Sequence, residues 1–204
     1  MAAGTGSSPK GVFINCPFTA DYRPLMDAMV FTVLACGFRP RSALEAGNSG
    51  DVRVDKIMRI IQESSYSVHD LSAVELDAIN SLPRFNMPFE LGLAIGLKKG
   101  AQSRHSFLVL ERDRFTSQRC LSDIAGQDLQ AHGGSAVNVI RSVRNWLLTE
   151  SRRKSIPGPK LVIAAYESFQ LALPEICDSA GLDIDELPFV ERVGLAKTWL
   201  KQAA

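Results

Sequence analysis

The chain has 204 residues, 46% of them hydrophobic, with 23 basic and 22 acidic side chains. This length and composition support one sizeable core, and the near-zero net charge argues against a general binder of nucleic acid or anionic membrane. The basic clusters Arg112/Arg114 and Arg152-Arg153-Lys154 are local and read as solvated surface. No apolar run reaches the roughly 18 residues of a membrane span, and the tail Met1 to Pro9 lacks the apolar stretch of a signal peptide. Cys16, Cys36, Cys120 and Cys177 form no CxxC pair, and His69, His105 and His132 lack ligand spacing. Reduced thiols in a cytoplasm, with no metal, fit this pattern.

Residues 1–10 read as a disordered tail. Gly11-Val12-Phe13-Ile14-Asn15 then reads as a buried strand, with a loop at Cys16-Pro17-Phe18-Thr19. Asp21 is placed to cap a helix from about Tyr22 to Cys36, with Pro24 in its first turn and Gly37 as its stop. Phe38 to Leu44 reads as a second strand, and residues 46–50 as a loop. Val52 to Glu63 reads as a second helix, with Ile57, Met58, Ile60 and Ile61 turned inward. Ser65 to Leu71 is a short third strand carrying Asp70 at its end. Residues 74–83 have no clear period and read as a long loop or a partial turn of helix.

The segment from Pro83 to Lys99 is a polar turn that opens into an apolar helix, and Glu90 is its only carboxylate. Leu91, Leu93, Ala94, Ile95 and Leu97 make that helix apolar on most sides, which predicts burial, and Gly92 and Gly96 leave room for close packing. Ser106 to Leu110 is the clearest strand. Glu111 to Gln118 reads as a charged loop, and Leu121 to Asp128 as a short strand or turn. Helical patterns follow over Ser135–Glu150, Leu161–Leu173, Pro174–Ala180 and Pro188–Lys201.

Alternating strands and helices predict an α/β fold, a parallel sheet covered on both faces. The expected division is a tail at 1–10, an α/β domain at 11–132 and a C-terminal helical extension at 133–204. Ligands of such sheets sit outside the carboxyl ends of the strands. Asn15 to Thr19, Asp70 to Ser72 and Asn86 to Glu90 are expected to converge there. A carboxylate at the amino end of a helix is expected to stay ionised. Ionised Glu90 has the chemistry to attack or stabilise an electron-poor sugar carbon. Asp70 has the chemistry to bind a base edge or a ribose hydroxyl, and Phe13, Phe18 or Phe85 to offer an apolar surface to a base. The competing readings are that Glu90 caps its helix or pairs with Arg84 or Arg23, and that Asp70 only ends a strand. His69 reads either as a proton donor or as a buried, hydrogen-bonded imidazole. Gln127 or Asp128 reads either as a rim residue or as part of a capped turn. Cys16 has no visible histidine partner, so a thiol nucleophile is not indicated.

Three motifs, Val12-Phe13-Ile14-Asn15-Cys16-Pro17-Phe18, His69-Asp70-Leu71-Ser72 and Asn86-Met87-Pro88-Phe89-Glu90-Leu91-Gly92-Leu93-Ala94, occur in that order. Together they resemble the nucleoside 2-deoxyribosyltransferase-like and TIR-like superfamily over about residues 11–130. The resemblance implies a flavodoxin-like three-layer domain that cleaves or rearranges N-glycosidic bonds. It implies that Glu90 is the catalytic glutamate and that Asp70 contacts substrate. It further implies that Asn15, Pro17, Phe18, Ser72 and Asn86 line the substrate site. Classical deoxyribosyltransferases carry a second aspartate shortly before the glutamate, where Arg84 or Asn86 stands here. That departure turns the expectation from free deoxynucleoside transfer toward hydrolysis of a nucleotide or of NAD. No cofactor is implied, because NAD enters as a substrate. Family habit implies self-association, or a partner protein, through the C-terminal helices, and an antiphage-type effector role. The alternative is a non-catalytic nucleotide sensor or a TIR-like scaffold.

Overall fold

The computed structural model describes residues 9–45, 50–74, 84–99 and 105–202. The tail before Pro9, most of the loop at 46–50 and most of the segment at 74–83 lie outside those residues. The elements are β1 (Gly11–Asn15), α1 (Arg23–Ala35), β2 (Arg39–Arg41), α2 (Arg53–Glu63), β3 (Tyr66–Asp70), α3 (Asn86–Lys99) and β4 (Ser106–Glu111). The chain continues through α4 (Thr116–Cys120), a 3-10 turn (Ser122–Ile124), β5 (Gln130–Ala131), α5 (Ala136–Ser151), α6 (Pro159–Ala180) and α7 (Phe189–Gln202). The strands form one parallel sheet in the order β2-β1-β3-β4-β5. The protein is a three-layer α/β domain with C-terminal helices, as the alternating pattern predicts.

Side-chain alternation sorts the sheet's two faces. Val12, Ile14, Val68, Leu108 and Leu110 join a core with α1, α5, α6 and α7. On the opposite face, Phe13 packs with Ile57, Ile60 and Ile61 of α2 and Ala94 of α3, and Val109 packs with Met87 and Leu91 of α3. The C-terminal helices therefore share one core with the sheet. Phe31 of α1 stacks on Phe169 (5.4 Å) and meets Tyr166 edge-on (5.6 Å), both on α6. Such aromatic pairs add about 0.5–1.5 kcal/mol each beyond area burial. Arg192 of α7 pairs with the half-buried Asp27 of α1 (3.0 Å) and also donates to the carbonyls of Leu187 and Ile184. No helix among the described residues is long and apolar enough to cross a membrane.

Several local expectations are corrected. β2 stops at Arg41 because its guanidinium turns aside to Glu45 and Glu63, and Pro40 has no amide hydrogen to extend a ladder. Asp21 does not cap α1; its carboxylate bonds Thr19, and the cap position is Tyr22 without a side-chain bond. Within the expected charged loop, Glu111 accepts the amides of Phe115 (2.9 Å) and Ser117 (3.1 Å), which nucleates the short helix α4. Of the two readings of 121–128 the turn holds, as a 3-10 turn, and the strand follows it. α6 runs unbroken through Pro174. Phe169, Leu173 and Cys177 bury its face across that point, and tertiary packing outweighs the lost helical bond. α3 is buried on one side only: Gly92 and Gly96 face open space, and Phe89 is exposed.

Arg153 is not a solvated surface charge. Its guanidinium donates to the carbonyls of Cys36 (2.8 Å) and Gly37 (3.1 Å) and lies 4.0 Å over the Phe38 ring. It closes the end of α1, where Gly37 adopts a φ of +76° and hands the chain to β2. Arg153→Ala is expected to lower stability by about 1–2 kcal/mol through two lost charge-assisted bonds and one cation–π contact. A shift in the urea midpoint at unchanged slope checks this.

Candidate functional site

The strand order reverses between β1 and β3, and the crevice of such a sheet lies outside the carboxyl ends of those two strands. Asn15 is the last residue of β1, and Asp70 is the last residue of β3. The Asn15 amide donates to the Met87 carbonyl (2.9 Å) and to Nδ1 of His69 (2.9 Å). This ties the first turn of α3 to the tip of β1, three residues before Glu90. Asn15 is 2% exposed, so its amide holds the framework and is not offered to a ligand.

A directed hydrogen-bond chain runs on from Asn15 through the buried side of the sheet. Nδ1 of His69 accepts, so its proton sits on Nε2 and is donated to Ser67 Oγ (2.8 Å). Ser67 donates to Nε2 of His105 (2.9 Å), and the Nδ1–H of His105 ends on the Ser64 carbonyl (2.9 Å). Every donor meets an acceptor only while both imidazoles are neutral. Burial, aided by the nearby His105, pushes His69 down to about 3. Burial also lowers His105, against its bond to Ser64. The proton-donor reading of His69 therefore gives way to the buried, bonded one.

The unfolded chain binds a proton at His69 below its ordinary value of 6.5, whereas the folded chain does not until about 3. Stability is thus expected to fall as pH drops from 6.5 toward 3. His69→Asn should flatten that fall, as read from urea midpoints at pH 7 and pH 4.5.

On the other face of the same edge, Asp70 is fully buried. Its Oδ2 accepts the Tyr22 hydroxyl and Nε2 of His132 (3.0 Å), and its Oδ1 accepts the Ser72 amide (2.8 Å). Burial alone would raise this carboxyl, but the bonds from His132, Ser72 and Tyr22 outweigh it and hold Asp70 below the usual value. The Asp70 side chain, expected to contact substrate, is bonded within the protein and knots β3, the start of α1 and the turn before α5. His132 and Tyr22 went unrecognised in the sequence. The signal for His132 was the Gly133-Gly134 pair after it. Both glycines take positive φ (+58° and +70°), which turns the Gly134 amide back onto Nδ1 of His132 (3.0 Å).

Ser72, His132 and Asp70 have the composition of a nucleophilic triad but not its geometry. Ser72 Oγ lies 3.0 Å from Nε2 of His132, the same nitrogen that meets Asp70. Nδ1 is occupied by Gly134, so the imidazole cannot relay a proton between serine and carboxylate.

Glu90 stands apart from both networks. It is the fifth residue of α3 and is 4% exposed. Among the described residues its carboxylate makes no side-chain ion pair or hydrogen bond; Arg23 pairs instead with Asp185 (2.9 Å). Burial pushes Glu90 up to about 7, with the charge of Arg53 at the start of α2 acting weakly in the other direction. The expectation of a carboxylate held ionised by the helix dipole is corrected, because desolvation dominates. Cys16 is buried and its thiol is pushed well up, by burial first and then by the charges of Asp70 and Glu90. Those influences place Cys16 within electrostatic reach of both acids, at the tip of β1.

Among the other expected site residues, Pro17 is buried and Ser72 is half-buried, while Phe18 and Asn86 are exposed at the rim. Phe13 is sealed in the core and offers no surface to a base, whereas Phe18 and Phe85 are open. Glu90 is not among the described residues lining a groove of about 1010 Å³ that runs along α3 and takes in Gln127 and Asp128. No group of three or more metal-ligating side chains occurs among the described residues. Fold and site thus define a three-layer α/β protein with its polar groups gathered at the point where strand order reverses. No protein-family model matches the chain, and no curated protein matches it significantly.

Proposed function

We propose that this chain cleaves the N-glycosidic bond of a nucleotide or of NAD at the carboxyl edge of β1 and β3. The carrying observation is Glu90: a buried carboxylate without a pairing side chain among the described residues, on the helix whose first turn is tied at Met87 to Asn15 of β1. An isolated buried acid costs stability. Buried acids with a raised titration point cluster at sites that use them. The base departs with the bonding electrons, and Glu90 stabilises or traps the cation left at the ribose C1′. Water then adds at C1′, releasing the carboxylate where an ester has formed, and its proton passes to the departed base, or to solvent where the leaving group is neutral nicotinamide. Phe18 and Phe85, exposed at the same edge, supply apolar surface for the base. Leu161, Leu171 and Val190 leave exposed apolar positions on α6 and α7, which suits self-association of this effector-type protein through its C-terminal helices.

A second reading, a nucleotide sensor without turnover, is favoured by the burial of Asn15 and Asp70 and by the slight exposure of Glu90. One assay separates the two. Purified protein is incubated with NAD and a panel of nucleotides and nucleosides at several protein concentrations, and released base is followed by chromatography. Release supports the enzyme; saturable binding without release supports the sensor.

The reaction needs ionised Glu90, so release should climb about tenfold per pH unit below 7 and level off above it. The cationic nicotinamide ring beside the scissile bond of NAD favours the ionised acid, so the midpoint should lie lower with NAD than with a nucleoside monophosphate. Rate profiles from pH 5 to 9 with both substrates check this.

A further inference from the structure

β4 is only half covered. The Ser106 amide bonds Ser65 and the Leu110 carbonyl accepts Leu71, both on the β3 side. Alternation therefore turns the backbone groups of Phe107 and Val109 away from β3. On that outer side β5 pairs with Leu110 and Glu111, and the parallel pairing at Leu110 takes up the Val109 carbonyl. Among the described residues the edge left without a strand beside it is the Phe107 N–H and C=O and the Val109 N–H. It floors a groove of about 1010 Å³ walled by α3, the 3-10 turn and α5.

The walls suit an extended chain. A strand laid along β4 would turn alternate side chains to opposite faces. One row would meet Leu91 and Ile95 of α3, and the other would meet Trp146 of α5. Asp123, Asp128 and Glu150 stand around the groove, while Lys98, the one basic residue among its described lining, sits 5.0 Å over the Phe107 ring. Exposed strand edges usually carry lysine, proline or a bulge to repel further pairing. Phe107, Leu108 and Val109 carry none of these, although the side chains of Leu108 and Val109 are themselves buried.

We propose that the β4 edge is a docking site for an extended, basic peptide segment of a partner protein, which adds as a strand beside Phe107–Val109. Basic residues of that segment meet Asp123, Asp128 and Glu150, and its alternate apolar residues fill the two walls. A second copy of this chain is a poor occupant, because symmetric pairing would press two acidic rims together. The site is independent of Glu90 and of any glycosidic activity.

The test pans a random displayed decapeptide library against the whole protein, then follows amide hydrogen exchange with an enriched synthetic peptide. Enriched sequences should alternate apolar residues with lysine or arginine, and binding should slow exchange at Phe107 and Val109. The double variant Asp128→Lys with Glu150→Lys should weaken binding at least tenfold, and N-methylation of the peptide backbone should abolish it. Intact exchange elsewhere shows that the variant is folded. The proposal is overturned by no enrichment over a protein-free control, by peptides that leave both amides unchanged, or by binding insensitive to charge reversal. Protection of those amides by self-association alone would assign the edge to a second copy and also overturn it.

Discussion

Glu90→Gln is expected to abolish base release, by about a thousandfold or more, while making the protein more stable at pH 8. The first effect follows from removing the only charge the proposal places at C1′. The second follows from linkage. The folded acid titrates at about 7, against an ordinary value of 4.5. Between those values the unfolded chain releases a proton that the folded chain keeps, so stability falls as pH rises from 4.5 to 7 and stays low above. The gap corresponds to roughly 3 kcal/mol as an upper figure. The neutral, nearly isosteric glutamine avoids it. Denaturant titrations should therefore show the variant more stable than the parent at pH 8 and nearly equal at pH 4. A glutamate with a purely structural role would give the opposite sign, because its loss would weaken the fold at neutral pH.

Asp70→Ala is expected to be the most damaging single change to folding. It strands the Tyr22 hydroxyl, Nε2–H of His132 and the Ser72 amide in a site that solvent does not reach. Breaking a buried charged knot from one side costs about 3–5 kcal/mol, which in a chain of this size lowers the melting temperature by roughly 10 °C. The pH dependence runs opposite to that of Glu90. The folded carboxyl of Asp70 is held below its ordinary value, so its contribution is full above the unfolded value of about 3.9 and is lost as pH falls through the folded one. Thermal melts of parent and variant should differ widely at pH 7 and converge toward pH 2. Asp70→Asn keeps an oxygen for one or two donors and should fall between them.

The sheet was legible because periodicity reports burial directly: Gly11–Asn15, Tyr66–Asp70 and Ser106–Glu111 lie within a residue of where their apolar runs place them. What escaped the pattern depended on long-range partners. β2 is short because Arg41 finds Glu63, 22 positions away, and Arg153 looks like surface until α1 ends beneath it. The site was half legible. Glu90 was visible as a lone acid in an apolar helix. Its ionisation was misjudged because the helix dipole is a local effect, whereas desolvation is set by what packs on top. Asp70 and Asn15 were found at the carboxyl edge of the sheet, but their hydrogen bonds within the protein were not foreseen. Nothing near either residue in sequence announces that His132, Tyr22 and His69 will take up their polar atoms.

The central claim is that Glu90 meets a ribose at the tip of β1. A crystal structure of the Glu90→Gln variant soaked with NAD or a nucleoside monophosphate measures that directly. The account predicts the ribose C1′ within about 3.5 Å of the side chain at position 90, with the base against Phe18 or Phe85. A ligand seated elsewhere, or a site into which neither molecule enters at millimolar concentration, would contradict it.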